Sequence, residues 1–428
     1  MALIIEGGLD VALPRMAPIR QKFPSPEIPD VNREIQRLVA GDGRMERIRK
    51  GGRIAIAVGS RGINQIDRIT KAVIEQLQQL GARPFIVPAM GSHGGATAEG
   101  QRRVLAEYGI TAETMGVPVE SSMETEEIGQ LPNGAPVYLD RTALRSDGIV
   151  IIARVKPHTG FRGEYESGLL KMLAIGLGKH KGATWFHSCG IDRFAELLPQ
   201  LGKVVLEKAP ILFGLAIIEN AYDRPARFEI VWKEDMIARE PSLLKEAKSL
   251  MPKIIPDPLD VLIVQEIGKE ISGGGMDPNI TGRAASPFFT LEHPPRIQRI
   301  VVLRLSEATK GNAIGIGLAD VTTRHLVDSI NFDYTYVNAI TAGIMSGAKI
   351  PIAMPTDKEA IQLALKTCFR VKHPETRIVW IRNTLALEKI FASEPLLPEI
   401  RRNPHLEILD EPRPMQFDAQ GNMIHPPG

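Results

Sequence analysis

Two cysteines, Cys189 and Cys368, are too few for a disulfide framework, so a stapled fold is excluded. The opening stretch MALIIEGGLDVALPRM has neither the basic start nor the apolar run of a signal peptide. The longest apolar runs, such as residues 211–218, fall far short of the roughly 20 residues needed to span a bilayer. These absences predict a cytoplasmic chain without membrane attachment. Charge of one sign is missing too: 52 Lys and Arg stand against 50 Asp and Glu, a net +2. Nothing in that balance points to nucleic acid or an acidic membrane, and a small-molecule partner is expected. No internal repeat and no low-complexity tract interrupts the chain. Several signatures are also absent. No G-x-G-x-x-G follows a strand, no H-E-x-x-H or C-x-x-C pair occurs, and the 175–181 run IGLGKHK lacks the spacing of a phosphate loop.

What is there in 428 residues is room for two or three domains, at roughly 100–200 residues each. Apolar runs at 53–58, 82–88 and 147–155, separated by helical periodicity at 65–80 and 98–108, predict alternating strands and helices. We expect an α/β protein with two α/β domains and mainly parallel sheets. Before that core, residues 3–6 read as a strand, then a Pro-rich connector and a helix at 31–40. Beyond it, 191–207 reads as a helix interrupted at Pro199, 211–219 and 227–232 as strands, and 241–250 as a helix with Pro241 in its first turn. The prolines of PKIIPDP at 252–258 mark a boundary, so the domains are expected at 1–255 and 256–386, the tail 387–428 being a candidate to return to the first. The second domain reads as strands at 259–265, 299–305, 350–354 and 377–381, with helices near 320–330, 336–345 and 357–367. The last dozen residues are expected to be loosely held.

Chemistry concentrates at residues 155–189, VKPHTGFRGEYESGLLKMLAIGLGKHKGATWFHSC. Of nine histidines in the chain, His158, His180 and His187 fall here, beside Lys171 and many glycines. In parallel sheets ligands sit outside the carboxyl ends of strands, where Arg61, His93 and His158 would all fall. His93 lies in a Gly-Ser-His-Gly-Gly turn whose small residues allow close approach, and whose following helix amino terminus favours an anion. His158 follows Lys156-Pro157, which stiffens its approach. Two imidazoles with ordinary pKa values near 6.5 could exchange acid and base roles on one substrate carbon. From residue types alone, His93, His158 and His187 could equally hold a catalytic zinc ion for hydrolysis. A metal- or nucleotide-binding role without catalysis stays open as well.

At these residues the chain resembles the nickel-pincer-nucleotide-dependent lactate racemase family. The carrying features are Ser92-His93, Pro157-His158 sixty-five residues on, Ser167-Gly-Leu-Leu-Lys171, and His187 sixteen residues after that lysine. The resemblance implies that His93 and His158 are the acid/base pair, that Lys171 joins the nickel-pincer nucleotide, and that His187 ligates the nickel. It implies phosphate or substrate contacts at Arg61 and a phosphate cradle from Ser60, Thr159, Gly160, Arg162, Ser167 and Gly168. It implies a racemase or epimerase of a 2-hydroxy acid that passes hydride to the cofactor, served by cofactor-synthesis proteins during maturation. The active site is expected in an interdomain cleft that the second domain closes. The family's lactate-contacting residues have no match in GKEISGGGMDPNITGR at 268–283. Lys269, Asp277, Asn279, Thr281 and Arg283 are therefore the candidate substrate contacts, and both a lactate-like and a larger, sugar-acid substrate stay open.

Overall fold

In a computed structural model, residues 8–60, 62–371, 375–424 and 427 are described. The strand expected at 3–6 and the side chain of Arg61 lie outside these residues. The chain divides into two units, one of residues 24–251 and one of residues 1–23 with 252–428.

In the first of these, five strands are ordered Arg83–Pro88, Arg53–Val58, Gly148–Arg154, Ile211–Glu219 and Pro225–Trp232. The first four run parallel and the last is antiparallel. Both faces are covered, which is why the strands read as continuous apolar runs. Ala55, Ala57, Phe85, Val87, Ile149 and Ile151 belong to one core. The alternate residues Ile54, Ile56, Val58, Ile86, Val150 and Ile152 belong to another. Helices Ile66–Gln79 and Val31–Ala40 supply the second core. Phe194–Lys208, Lys179–Ser188 and Met236–Leu250 supply the first, so the sheet is a middle layer.

The other unit holds a nine-stranded sheet. Ile352–Met354, Val321–Thr323, Ile297–Leu305, Leu259–Ile267 and Ile378–Ile381 lie side by side and parallel. Lys389–Ser393 then pairs antiparallel with both Ile378–Ile381 and Arg15–Gln21, and Leu406–Ile408 and Arg413–Pro414 pair with the far side of Arg15–Gln21. The architecture is α/β with mainly parallel sheets, as expected.

Several details differ from expectation. The tail 387–428 joins the second unit, because Lys389–Ser393 finds its hydrogen-bond partners in Arg15–Gln21, a strand hidden in the Pro-rich connector. Its end is tied down: Met423 is buried in the core of that unit, and its N–H donates to Asp357 at 2.8 Å. Pro199 and Pro241 both lie inside continuous helices, the second because its helix begins five residues earlier, at Met236. Residues 321–323 form a strand where helix was expected, and the next two helices run Arg324–Asp328 and Phe332–Ala342. Among the described residues, no helix is long and apolar enough to cross a membrane.

Candidate functional site

Strands Arg83–Pro88, Arg53–Val58 and Gly148–Arg154 are parallel neighbours, so their carboxyl ends share one edge. From that edge emerge the turn bearing His93, the Gly59-Ser60 loop and the loop bearing His158. Strands are spaced about 4.8 Å, which puts the His93 and His158 strands about 10 Å apart across the middle one.

The Lys171 segment packs against this edge through close approaches. Gly168 opens a short helix, Leu169–Lys171, followed by a π turn over Met172–Gly176. Such turns recur at functional sites because they offset one side chain from helical register. A Cβ on Gly59 would touch Met172 Sδ at 3.2 Å, and one on Gly176 would sit 2.7 Å from Ala89 O. Gly91 N–H donates to Gly176 O at 3.1 Å. The IGLGKHK run is thus a packing surface for the His93 turn. The helix Lys179–Ser188 then carries His187. Its first residue, Lys179, is left-handed at φ 52. That costs about 1–2 kcal/mol. Leu177 and Phe186, both fully buried around this turn, contribute about 1.5–3 kcal/mol each and hold it.

His158 and His187 are connected by rings. His158 lies 4.4 Å from Phe161, Phe161 5.6 Å from Phe194, and Phe194 5.3 Å from His187. His187 is exposed at the surface, and its imidazole is lowered from its ordinary value first by partial desolvation against these aromatics and second by the charge of Lys171. A neutral imidazole is the metal-ligating form. Lys171 Nζ reaches Ser167 Oγ at 3.5 Å.

The two acid/base candidates differ in tautomer. His93 Nδ1 lies 2.9 Å from Met90 O, which only accepts, so in the neutral ring the lone pair is on Nε2. Gly160 N–H donates to His158 Nδ1 at 2.9 Å, so there the proton is on Nε2. The loop that holds His158 is closed at its base by paired backbone bonds between Lys156 and Ser167. Inside it, buried Glu166 accepts the His158 backbone N–H at 2.6 Å, Arg162 at 3.1 Å and Lys248 at 2.7 Å.

The expected phosphate cradle is therefore partly engaged within the protein. Arg162 donates to His158 O, to Phe161 O and to Glu166, while the Gly160 N–H is held by His158. Thr159 and Ser167 line the same loop, half-buried. Gly168 lies directly on the carboxyl of Glu240, which a Cβ would approach to 2.4 Å. Glu240 is 1% exposed and accepts the Leu170 N–H at 2.9 Å. Burial pushes its carboxyl up to about 7 against the pull of the Leu170 and Leu169 N–H groups. His180 is exposed on the outer face. Among the described residues no three His, Cys, Asp or Glu side chains cluster to hold a metal ion. Among the described residues His93, His158 and His187 are not brought together as such a group.

Residues 15–195 match the family model described as the lactate racemase N-terminal domain. This segment is similar to lactate racemase N-terminal domains. His93, His158, Lys171 and His187 all fall inside it. Among solved structures, the lactate racemase apoprotein of Thermoanaerobacterium thermosaccharolyticum is similar at TM-score 0.51 and 14% identity, over 86% of this chain and 93% of that one. A Thermotoga maritima protein is similar at TM-score 0.50 and 14% identity, over 85% and 99%. At such identity these likenesses establish a shared fold. No curated protein matches the chain.

Outside residues 15–195, the four charged or amide candidates for substrate contact separate into two kinds. Arg283 donates to Asp320, Leu318 O and Gln298 O at the starting end of its sheet, and is a structural clamp. Asp277 is buried and caps the helix Pro278–Thr281 through Asn279 N. Thr281, buried likewise, donates to Asp277 O. Lys269 stands just past the carboxyl end of Leu259–Ile267, where ligands bind in such sheets. Asn279 also bonds Asp277 through its side-chain amide. Sequence reasoning missed Phe161, Glu166, Phe194 and Glu240. The only local signal was a pair of glutamates in the His158 loop.

Proposed function

We propose that the chain is a racemase or epimerase of a 2-hydroxy acid, using a nickel-pincer nucleotide joined to Lys171 with His187 as the protein ligand to nickel. The observation that carries this reading is that Lys171 and His187 lie on successive helical segments packed against the strand edge that bears the His93 turn. That donor set suits a group that brings its own remaining metal ligands, and needs one amine and one imidazole from the protein. When bound, the group supplies a hydride acceptor and donor, which spares the protein from removing a weakly acidic α proton.

The chain's own residues then bind, orient and move protons. His93, with its lone pair on Nε2, is set to take the substrate hydroxyl proton. His158, with its proton on Nε2, donates a hydrogen bond to the substrate from the other side. For the opposite isomer the roles exchange, which requires His158 to release the Gly160 N–H so that its proton moves to Nδ1 and Nε2 becomes the base. Phe161 and Phe194 form an apolar wall that keeps water from the reacting carbon. Thr159 and Ser167 are our remaining side-chain candidates for the nucleotide phosphate, with Ser60, Arg61, Arg162 and the Gly160 and Gly168 backbones beside them. Lys269 and Asn279 are the remaining candidates for substrate contact.

The test is incubation of cofactor-loaded protein with single isomers of α-deuterated 2-hydroxy acids, lactate and sugar acids among them, in ordinary water. Interconversion with the label kept on carbon is expected. Loss of label to solvent would replace hydride transfer by proton abstraction. Native mass analysis showing zinc and no nucleotide on Lys171 would overturn the racemase reading, and intact cofactor binding with no isomer converted would make this a binding protein.

A further inference from the structure

Lys179 has no part in the chemistry above, yet its side chain is fully buried. Its ammonium donates to Gln101 Oε1 at 3.0 Å and to Pro88 O, and forms an ion pair with Asp140 Oδ2 at 3.1 Å. These come from three separate places: the hairpin strand Pro136–Asp140, the helix Ala98–Glu107 that follows the His93 turn, and the end of the strand that delivers that turn. Gln101 is itself fully buried. Because a cation can only donate, Gln101 must turn its carbonyl oxygen to Lys179 and its amide nitrogen away. That nitrogen donates to Gly91 O at 2.9 Å and His93 O at 3.3 Å. Asp140 adds a second tie, its own N–H donating to Leu177 O at 2.7 Å just before Lys179.

The backbone gives an independent indication. Lys179 is left-handed between Gly178 and His180, a conformation that glycine would adopt without strain. A lysine is tolerated there because its side chain makes these bonds, and strain of this kind gathers where position matters. Burial also opposes the charge: it lowers the Lys179 ammonium and raises the Asp140 carboxyl, while their mutual attraction pulls both back. A packing role alone would be met by an apolar side chain of similar length.

We infer that Lys179, anchored by Asp140, acts through Gln101 as a positioning residue that sets the His93 turn against the helix carrying His187. The inference builds on the role proposed above for those two histidines. It assigns to a buried ion pair the task of fixing the distance between a proton acceptor and the metal ligand.

The discriminating variant is Gln101→Glu, which keeps an acceptor for Lys179 but cannot donate to the Gly91 and His93 carbonyls. In the apoprotein, imidazole 15N shifts should show His93 in one tautomer in the wild type and in a mixture in the variant. In the loaded enzyme, kcat should fall on the order of 10–100-fold with KM little changed, the range expected for a small misplacement of a reacting group. Nickel and nucleotide retention by native mass spectrometry should be unchanged, since Lys171 and His187 are untouched. A variant with the wild-type tautomer and kcat would overturn the inference. Should Gln101→Glu fail to fold, Lys179→Met with Asp140→Asn removes both buried charges, and the same spectra decide. Should the wild type convert no hydroxy acid, the functional reading fails, while the apoprotein spectra still judge the positioning role.

Discussion

Glu240→Gln is the most direct test of how the Lys171 segment is held. The Glu240 carboxyl is pushed up to about 7, chiefly by burial. In the unfolded chain it loses its proton near 4.5, and in the folded chain near 7. Between those values the folded state binds the extra proton, so stability falls as pH rises from 4.5 to 7 and levels off above. Raising the carboxyl from 4.5 to about 7 corresponds to about 3 kcal/mol. Glutamine keeps an oxygen for the Leu170 N–H but has no proton to lose. Subtracting the denaturant stability of Glu240→Gln from that of the wild type, at intervals from pH 4 to 8, cancels every other titrating group. We expect a difference curve that drops by about 3 kcal/mol in favour of the variant and is flat above pH 8. Parallel stability curves across the range would refute a buried, raised Glu240. Because glutamine adds an amide donor close to the Leu169 N–H, we also expect slower attachment of nucleotide to Lys171, read by intact mass over time.

Three other substitutions probe separate supports. Gly176→Ala forces a Cβ against Ala89 O, 2.7 Å away, so the His93 turn must move off the π turn. A stability loss of about 1–3 kcal/mol by denaturation and a larger loss of activity are expected, and wild-type behaviour would show the contact to be yielding. Glu166→Gln removes the charge between Arg162 and Lys248 beneath the His158 backbone. It should cost about 1–3 kcal/mol and broaden the His158 ring resonances, and unchanged resonances would argue that Pro157 alone fixes the loop. Asp357→Asn weakens a fully buried carboxylate that accepts from Arg304 at 2.7 and 3.0 Å and from Met423 N–H. Cleavage by proteases within 415–424 should then rise several-fold, and no change would show that packing of Met423 suffices.

How legible each part was follows from whether its signal is local. Runs such as RIAIAV at 53–58 and GIVIIAR at 148–154 state their own burial, because a parallel strand covered on both faces has no polar side to confuse the pattern. Arg15–Gln21, with two arginines and a proline in seven residues, carries no such statement. It is a strand because Lys389–Ser393 and Leu406–Ile408 flank it, partners nearly four hundred residues away in sequence. The hairpin Thr125–Gln130 with Pro136–Asp140 was hidden for the same reason, its first strand being mostly polar.

The site divides along the same line. His93, His158, Lys171 and His187 could be chosen from their neighbours and spacings, since strand-end turns and a short lysine motif are written in contiguous residues. The sequence by itself determined the α/β class and singled out the candidate side chains. Tertiary structure alone decided what holds them: Glu166 under His158, Glu240 under Gly168, Phe161 and Phe194 between two imidazoles, and Lys179 between Asp140 and Gln101. A buried charge and a solvated one are the same letter in a sequence. Which of them is buried depends on partners that come together only when the chain has folded.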